Sequence, residues 1–306
     1  MNKLKLDAIF EGGGIKGIAF TGAIAALEEN GYEFNRVAGA SAGALVASLL
    51  SVGYTGKELK QILKDTNFNK LLGSKESRII DIRNIYNLVR YKGIYETSGI
   101  NQWLKQLFKE KGKEKFKNVS VNGKSKLKII VSDITKRTIV ILPDDIVNYG
   151  EDPMEMDIVD AVTMSISIPF FFKPHTLNTS TGKSVLVDGG LLSNFPVWIF
   201  DVDRKPRWPT FGFRLLENNR SYSSQGKNNL VQYSLDIIST VLDRNENVYL
   251  DDKNRVRTID LPTLGVKTTD FNISESKAED LYLSGYDAAK KFISNWDFQE
   301  YIKRYR

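Results

Sequence analysis

Two stretches near the start of the chain repeat one plan, and that repetition limits the folds open to it. Leu4 to Phe10 alternates loosely and ends apolar, as a buried strand does. The run Gly12-Gly13-Gly14-Ile15-Lys16-Gly17 follows at once, and Ile18 to Glu29 then carries apolar residues at helical spacing until Asn30-Gly31 stops it. A second strand runs to Ala40, a sharp turn falls at Ser41, and an apolar helix continues to Val52. Two successive strand–turn–helix units imply parallel strands joined by crossover helices. The expected fold class is therefore α/β: a three-layer sandwich with a mainly parallel central sheet flanked by helices.

The second turn carries chemistry. Gly39-Ala40-Ser41-Ala42-Gly43 fits G-x-S-x-G, the pattern of a nucleophile elbow. A residue in so tight a strand-to-helix turn has strained dihedrals, and bulky neighbours would collide with the backbone as it doubles back. Gly39 and Gly43 remove those collisions and leave the Ser41 hydroxyl at the carboxyl edge of the sheet. The helix that follows offers unpaired N–H groups and the positive end of its dipole to developing negative charge. Five residues of this kind also serve as a plain packing turn, so the rest of the chain has to decide.

The first turn has three readings. As G-x-G-x-x-G between a strand and a helix it suits a dinucleotide. That reading wants an acidic residue at the end of the second strand, where this chain has Gly-Ala-Ser-Ala-Gly instead. As an oxyanion hole, it turns the adjacent N–H groups of Gly13 and Gly14 toward one point, with the cation of Lys16 nearby. As packing, it brings strand and helix close. The oxyanion reading ranks first, packing second and the dinucleotide third.

Further along, Thr55-Gly56-Lys57-Glu58 is a capping box that opens a helix to about Lys64. Asn67 to Lys92 reads as irregular with short helices. Ser98 caps a helix from Gly99 to Lys111. Strands at Lys128 to Asp133 and Thr138 to Leu142 flank a hairpin turn at Thr135-Lys136-Arg137, and a helix spans Asp157 to Ser165. Val185 to Val187 is a strand ending in Asp188-Gly189-Gly190, and Thr210 to Leu215 is another. Leu230 to Val248 and Ser276 to Trp296 are long amphipathic helices, and Tyr301 to Arg306 reads as a frayed basic tail. No repeat or linker divides the chain. One domain is expected over residues 1–306, with the motif-bearing core at about 6–200 and a helical portion at about 201–306.

Counts exclude several chemistries. The chain has 306 residues, no cysteine and one histidine, His175. A disulfide scaffold, a thiolate nucleophile, cysteine-bound zinc and any two-histidine metal motif are ruled out, so neither metal nor cofactor is expected. A Ser-His-Asp triad must use His175, with Asp133 or Asp160 preserving the order of α/β-hydrolases. His175 lies between Lys173-Pro174 and a polar run, which reads as a solvated surface loop. Asp188, at a strand end, could meet Ser41 at the same sheet edge. As a base it would need to be close and partly desolvated, since an ordinary carboxylate is weak. A plain Asp-Gly turn is the bland reading.

Formal net charge is +6, a mild excess that fits an anionic surface or substrate better than nucleic acid. Lys105 to Lys128 is lysine-rich with Trp103, Phe108 and Phe116 interleaved. It reads either as a solvated face or as peripheral contact with an anionic membrane. No apolar run approaches the ~20 residues of a spanning helix, and no signal-peptide core is present, so a cytoplasmic chain, peripheral at a membrane in the second reading, is expected.

Taken together, four blocks resemble the patatin-like phospholipase family. Glu11-Gly-Gly-Gly-Ile-Lys-Gly17 is similar to its oxyanion block and Gly39-Ala-Ser-Ala-Gly43 to its nucleophile block. Ser165-Ile-Ser-Ile-Pro-Phe-Phe-Phe-Lys-Pro174 is similar to its Ser/Pro/Phe block. Asp188-Gly-Gly-Leu-Leu-Ser-Asn-Phe-Pro196 is similar to its Asp-Gly block with the Asn-x-Pro that follows. The resemblance covers roughly Leu6 to Pro196. It implies a serine acyl hydrolase acting on phospholipids or lysophospholipids through an acyl-enzyme. Ser41 would be the nucleophile and Asp188 the base. Gly13, Gly14 and Lys16 would serve the oxyanion, supported by Gly12, Gly17, Gly39, Gly43, Gly189 and Gly190. Glu11 stands where aspartate is usual, and Lys16 where arginine is more frequent. Phe170-Phe171-Phe172 would line an acyl channel or form a buried cluster. A triad esterase using His175, a nucleotide- or phosphate-binding module, and acyl transfer to another alcohol are the competing readings.

Overall fold

The computed structural model describes residues 4–67, 71, 90–180, 182–217, 230–242, 252–268, 270 and 273–305. Most of the irregular stretch expected from Asn67 to Lys92, and the end of the helix expected to reach Val248, lie outside them.

Both opening units form as expected. Strand β1 (Leu4–Phe10) leads through the glycine loop into helix α1 (Ile18–Glu29). Strand β2 (Tyr32–Ala40) leads through Ser41 into α2 (Ala42–Val52). Helix α3 (Gly56–Asp65) starts at the expected capping box: the Thr55 N–H donates to Glu58 Oε2 at 2.7 Å and the Glu58 N–H donates to Thr55 Oγ1 at 3.3 Å. Then come β3 (Gly93–Tyr95), α4 (Ser98–Glu110), β4 (Ser120–Val121), β5 (Lys124–Ser125), β6 (Leu127–Asp133), β7 (Thr138–Leu142), α5 (Ile158–Ser165), β8 (Phe170–Phe172), β9 (His175–Thr179) and β10 (Gly182–Asp188). The portion after residue 200, expected to be helical with one strand, supplies two: β11 (Thr210–Leu216) and β12 (Thr258–Pro262). It also contains α6 (Leu230–Leu242), α7 (Asp252–Arg255), α8 (Glu275–Ser294) and α9 (Phe298–Tyr305). The tail expected to fray is thus helical, anchored by Tyr301, which is fully buried.

The sheet order is β12-β11-β1-β2-β6-β10-β9, with β7 also on β6. It is a mostly parallel sheet flanked by helices. Among the described strands of this sheet, β7 and β10 run against β6. Alternation along β1 sorts its side chains: Leu6, Ala8 and Phe10 join the main core with Phe20, Ala23 and Leu27 of α1, and the Phe10 ring stacks on Phe213 at 4.7 Å. Ile9 points the other way, with Ala38, onto Phe195, Val197 and Phe200.

One detail of register matters most. Strand β7 pairs with Ile129 through Asp133 of β6. Strand β2 pairs with Leu127 to Ile130 and β10 with Val131 to Asp133. Because β7 overlaps both spans, β2 and β10 must share the opposite edge of β6. They approach each other along it from opposite directions and meet end to end between Ile130 and Val131.

Candidate active site

Ser41 sits at that meeting point, on the bond between β2 and α2. Its φ is 52° and its ψ −123°, a conformation L-residues rarely adopt, which costs on the order of 1–3 kcal/mol. Neighbours hold it there. The Ser41 N–H donates to Ser165 Oγ at 2.9 Å, and the Ser165 hydroxyl donates to the Ile130 carbonyl at 2.6 Å. The glycines on either side are needed for space: a Cβ on Gly39 would fall 2.3 Å from the carbonyl carbon of Gly43, and one on Gly43 would fall 2.2 Å from the Phe10 oxygen. The elbow expected from G-x-S-x-G is therefore present in backbone as well as in sequence.

Asp188 ends β10 with its side chain wholly buried. Its Oδ1 accepts the Gly190 N–H at 2.8 Å, while Oδ2 is buried without a hydrogen-bond partner among the described residues. Burial pushes the carboxyl up to about 7, opposed by the nearby Ser41 hydroxyl and the Gly190 N–H. The hydroxyl lies close enough to favour the charged form, yet forms no direct hydrogen bond of ordinary geometry with Oδ2. Such contacts commonly tighten only once substrate is bound.

The glycine loop runs beside both. Its ends are tied: the Gly12 N–H donates to the Asn194 carbonyl at 3.1 Å, and the Ile15 N–H to the Thr268 carbonyl at 3.3 Å. Between these ties, the N–H groups of Gly13 and Gly14 have no hydrogen-bond partner among the described residues. A Cβ on Gly12 would stand 3.2 Å from the Ser41 Cβ, so the loop passes directly alongside the elbow. Gly17 closes it against Ala42, the first residue of α2. Glu11 fixes the entry, its Oε2 accepting the Leu215 N–H at 2.6 Å. The Lys16 side chain is buried, and its ammonium pairs with Glu217 at 2.9 Å, which ties the loop to the end of β11.

The residues of the histidine route have neighbours of their own. His175 is the first residue of β9, opposite Leu186, and half-buried rather than in a solvated loop. Burial lowers its pKa, and Asp160 and the Thr163 backbone are the groups that act on it; Ser41 and Asp188 are not among them. Burial, then Asp157, raises the Asp160 carboxyl. Asp133 shapes the β6–β7 turn, accepting the N–H groups of Thr135 and Lys136 at 2.8 and 2.9 Å and the Tyr149 hydroxyl at 2.8 Å.

Four lysines of the lysine-rich stretch pair with acidic residues of the same chain. Lys111 pairs with Glu58, Lys115 and Lys117 with Glu155, and Lys128 with Asp144. Of the three phenylalanines, Phe172 is buried, Phe171 packs on Tyr95 with centroids 4.7 Å apart, and Phe170 is exposed. Among the described residues no cluster of metal-ligating side chains occurs, and no helix is long and apolar enough to cross a membrane.

Two site residues had no role in the sequence reading. Ser165 and Asn194 stand inside recognised blocks, but nothing in their type names their partners. The signals were a polar residue where the neighbours are apolar, as Ser165 at the end of an apolar helix, and the Asn-x-Pro that Asn194 opens before Phe195-Pro196.

Comparison with known proteins bears on the family and the fold. Residues 8–201 match the Patatin family model, patatin-like phospholipase. The uncharacterized protein YqhO of Bacillus subtilis (strain 168) is 35% identical over 294 residues, which cover 96% of this chain and 99% of that protein. The probable lipid hydrolase 463L of Invertebrate iridescent virus 6 is 27% identical over 192 residues, 62% of this chain and 61% of that protein. Among solved structures, VipD from Legionella pneumophila aligns at a TM-score of 0.54 and 18% identity, covering 96% of this chain and 67% of that one, a likeness of fold alone.

Proposed function

The chain belongs to the patatin-like phospholipase family, and on that premise we propose that it is a serine acyl hydrolase of phospholipids or lysophospholipids, working through a Ser41–Asp188 dyad. The observation that carries this reading is the buried Asp188 Oδ2, without a hydrogen-bond partner among the described residues, beside the Ser41 hydroxyl at the point where β2 and β10 meet.

The chemistry follows from those positions. Ser41 Oγ attacks the ester carbonyl carbon while its proton passes to Asp188 Oδ2. A carboxyl pushed up to about 7 is suited to this, because a base near the working pH is both largely ionised and basic enough to take a proton. The carbonyl oxygen becomes an oxyanion and rests on the Gly13 and Gly14 N–H groups, with the start of α2 adding its dipole. As the tetrahedral intermediate collapses, Asp188 returns the proton to the departing alcohol and an acyl-Ser41 ester remains. Water then attacks that ester as Asp188 takes its proton; the second intermediate collapses by breaking the Ser41 Oγ–carbon bond, Asp188 returns the proton to Ser41 Oγ, and the fatty acid leaves.

A dinucleotide or phosphate site is the weaker reading, because the loop is committed to Ser41 at Gly12 and the Lys16 charge is already paired. The test is a panel of phospholipids, lysophospholipids and neutral glycerides, with products read by mass spectrometry for wild type and Ser41→Ala. Free fatty acid from phospholipid or lysophospholipid in wild type alone supports the proposal. Equal release by both proteins, or no release from any lipid, contradicts it.

A further inference from the structure

Asn194 has more ties at this site than any hydrolytic step requires. One end of its carboxamide faces three oxygens: Nδ2 lies 3.2 Å from the Gly12 carbonyl, 3.3 Å from the Leu242 carbonyl and 3.5 Å from Glu11 Oε1. Only the NH2 end can satisfy acceptors, so the amide has one sensible orientation. Its main-chain carbonyl accepts the Gly12 N–H at 3.1 Å. The Oδ1 end is wedged between two glycines: a Cβ would stand 2.2 Å from it on Gly12 and 2.6 Å from it on Gly190.

These partners belong to three separate parts of the site. Gly12 opens the loop that carries the Gly13 and Gly14 donors. Gly190 supplies the N–H that holds Asp188 Oδ1, and Leu242 ends α6. A buried side chain thus spans the oxyanion loop, the turn after Asp188 and the end of a covering helix. Among the described residues the loop between Gly12 and Ile15 has no strand partner to set its position. The distance from its donors to Ser41 therefore depends on the ties at its two ends, Thr268 at Ile15 and Asn194 at Gly12, and only the second also reaches the turn after Asp188.

We propose that Asn194 is a positioning residue that keeps the oxyanion loop in register with the Ser41–Asp188 dyad, and that Gly12 and Gly190 are glycine to leave room for its carboxamide. The proposal rests on the acyl-hydrolase reading.

The test compares wild type, Asn194→Ala and Asn194→Asp on a water-soluble short-chain p-nitrophenyl ester. It takes kcat and KM separately across pH, with fluorophosphonate labelling of Ser41 in parallel. A loop displaced by a fraction of an ångström should lower kcat about 100-fold in both variants and slow labelling in step, with KM moving less than about threefold. The aspartate variant keeps the shape but points an acceptor at three oxygens. Protonation gives it back a donor, so its activity relative to wild type should rise as pH falls, while that of the alanine variant stays flat. If the alanine variant does not fold, the isosteric aspartate variant decides alone. A kcat within about threefold of wild type, a loss confined to KM, or a flat ratio for the aspartate variant overturns the proposal. A wild type that is active beside unaffected variants overturns the role of Asn194 only. A wild type that neither hydrolyses the ester nor takes the label overturns the hydrolase reading, and this proposal with it.

Discussion

Asp188 occupies the place on β6 that Ser41 would take if β2 ran one residue further: Ala40 pairs with Ile130, and Asp188 with Val131. The two strands compete for one edge, and the chain at Ser41 has to leave the sheet where the carboxylate arrives. Sheet register therefore brings hydroxyl and carboxyl together, and the strained turn at Ser41 is the geometry by which β2 yields its edge.

That strain has a measurable consequence. Ser41→Gly removes the side chain from a positive-φ position and should raise stability by about 1 kcal/mol, since glycine adopts that backbone freely. Ser41→Ala keeps the strain and should leave stability nearly unchanged. Both should lower ester hydrolysis by roughly 10⁴-fold or more. Chemical denaturation beside an esterase assay checks the pair.

Burial of Asp188 makes both stability and activity depend on pH. Its folded-state pKa is about 7, above the ordinary carboxylate value of about 4. Between those values the folded protein holds a proton that the unfolded chain has released, so stability is complete below about pH 4 and falls as pH rises toward 7. Asp188→Asn lacks this loss. Its stability relative to wild type should climb across that window, by on the order of 4 kcal/mol, and level off above it. Over the same range wild-type kcat/KM should rise, because only the ionised carboxylate accepts the Ser41 proton. Thermal melts and rates at matched pH read both curves.

Ser165 links the elbow to β6 through two hydrogen bonds. Ser165→Ala leaves the Ser41 N–H and the Ile130 carbonyl without that partner in a buried setting, a cost of about 1–3 kcal/mol. It should also lower kcat more than it raises KM, because the strained turn loses its brace. Denaturant midpoints and steady-state kinetics separate the two effects.

Much of this was legible in the sequence because it is local. Two strand–glycine-turn–helix units give a parallel sheet, and Gly39 and Gly43 around Ser41 give the elbow. Thr55 and Glu58 give a helix start that needs no tertiary information. What the sequence hid depends on distant partners. The Lys16 charge pairs with Glu217, 201 residues away, a partner that its place in the glycine loop could not name. His175 reads as a surface loop from its polar neighbours, yet pairing with β10 makes it part of the sheet. Strand β12 escaped because Thr258–Pro262 is only five residues long and ends in proline, too short for its Thr-Ile-Asp-Leu alternation to stand out. Asn194 is one amide in a loop until its partners from Glu11, Gly12 and Leu242 are placed around it.

The choice between dyad and triad is tested most directly by a fluorophosphonate ester, with the adduct mapped by peptide mass spectrometry in wild type, Ser41→Ala, Asp188→Asn and His175→Ala. The dyad predicts an adduct on Ser41 that forms at nearly the wild-type rate without His175, is absent in Ser41→Ala, and is slowed by orders of magnitude in Asp188→Asn. Labelling that survives loss of the Asp188 carboxylate but vanishes with His175 would contradict it.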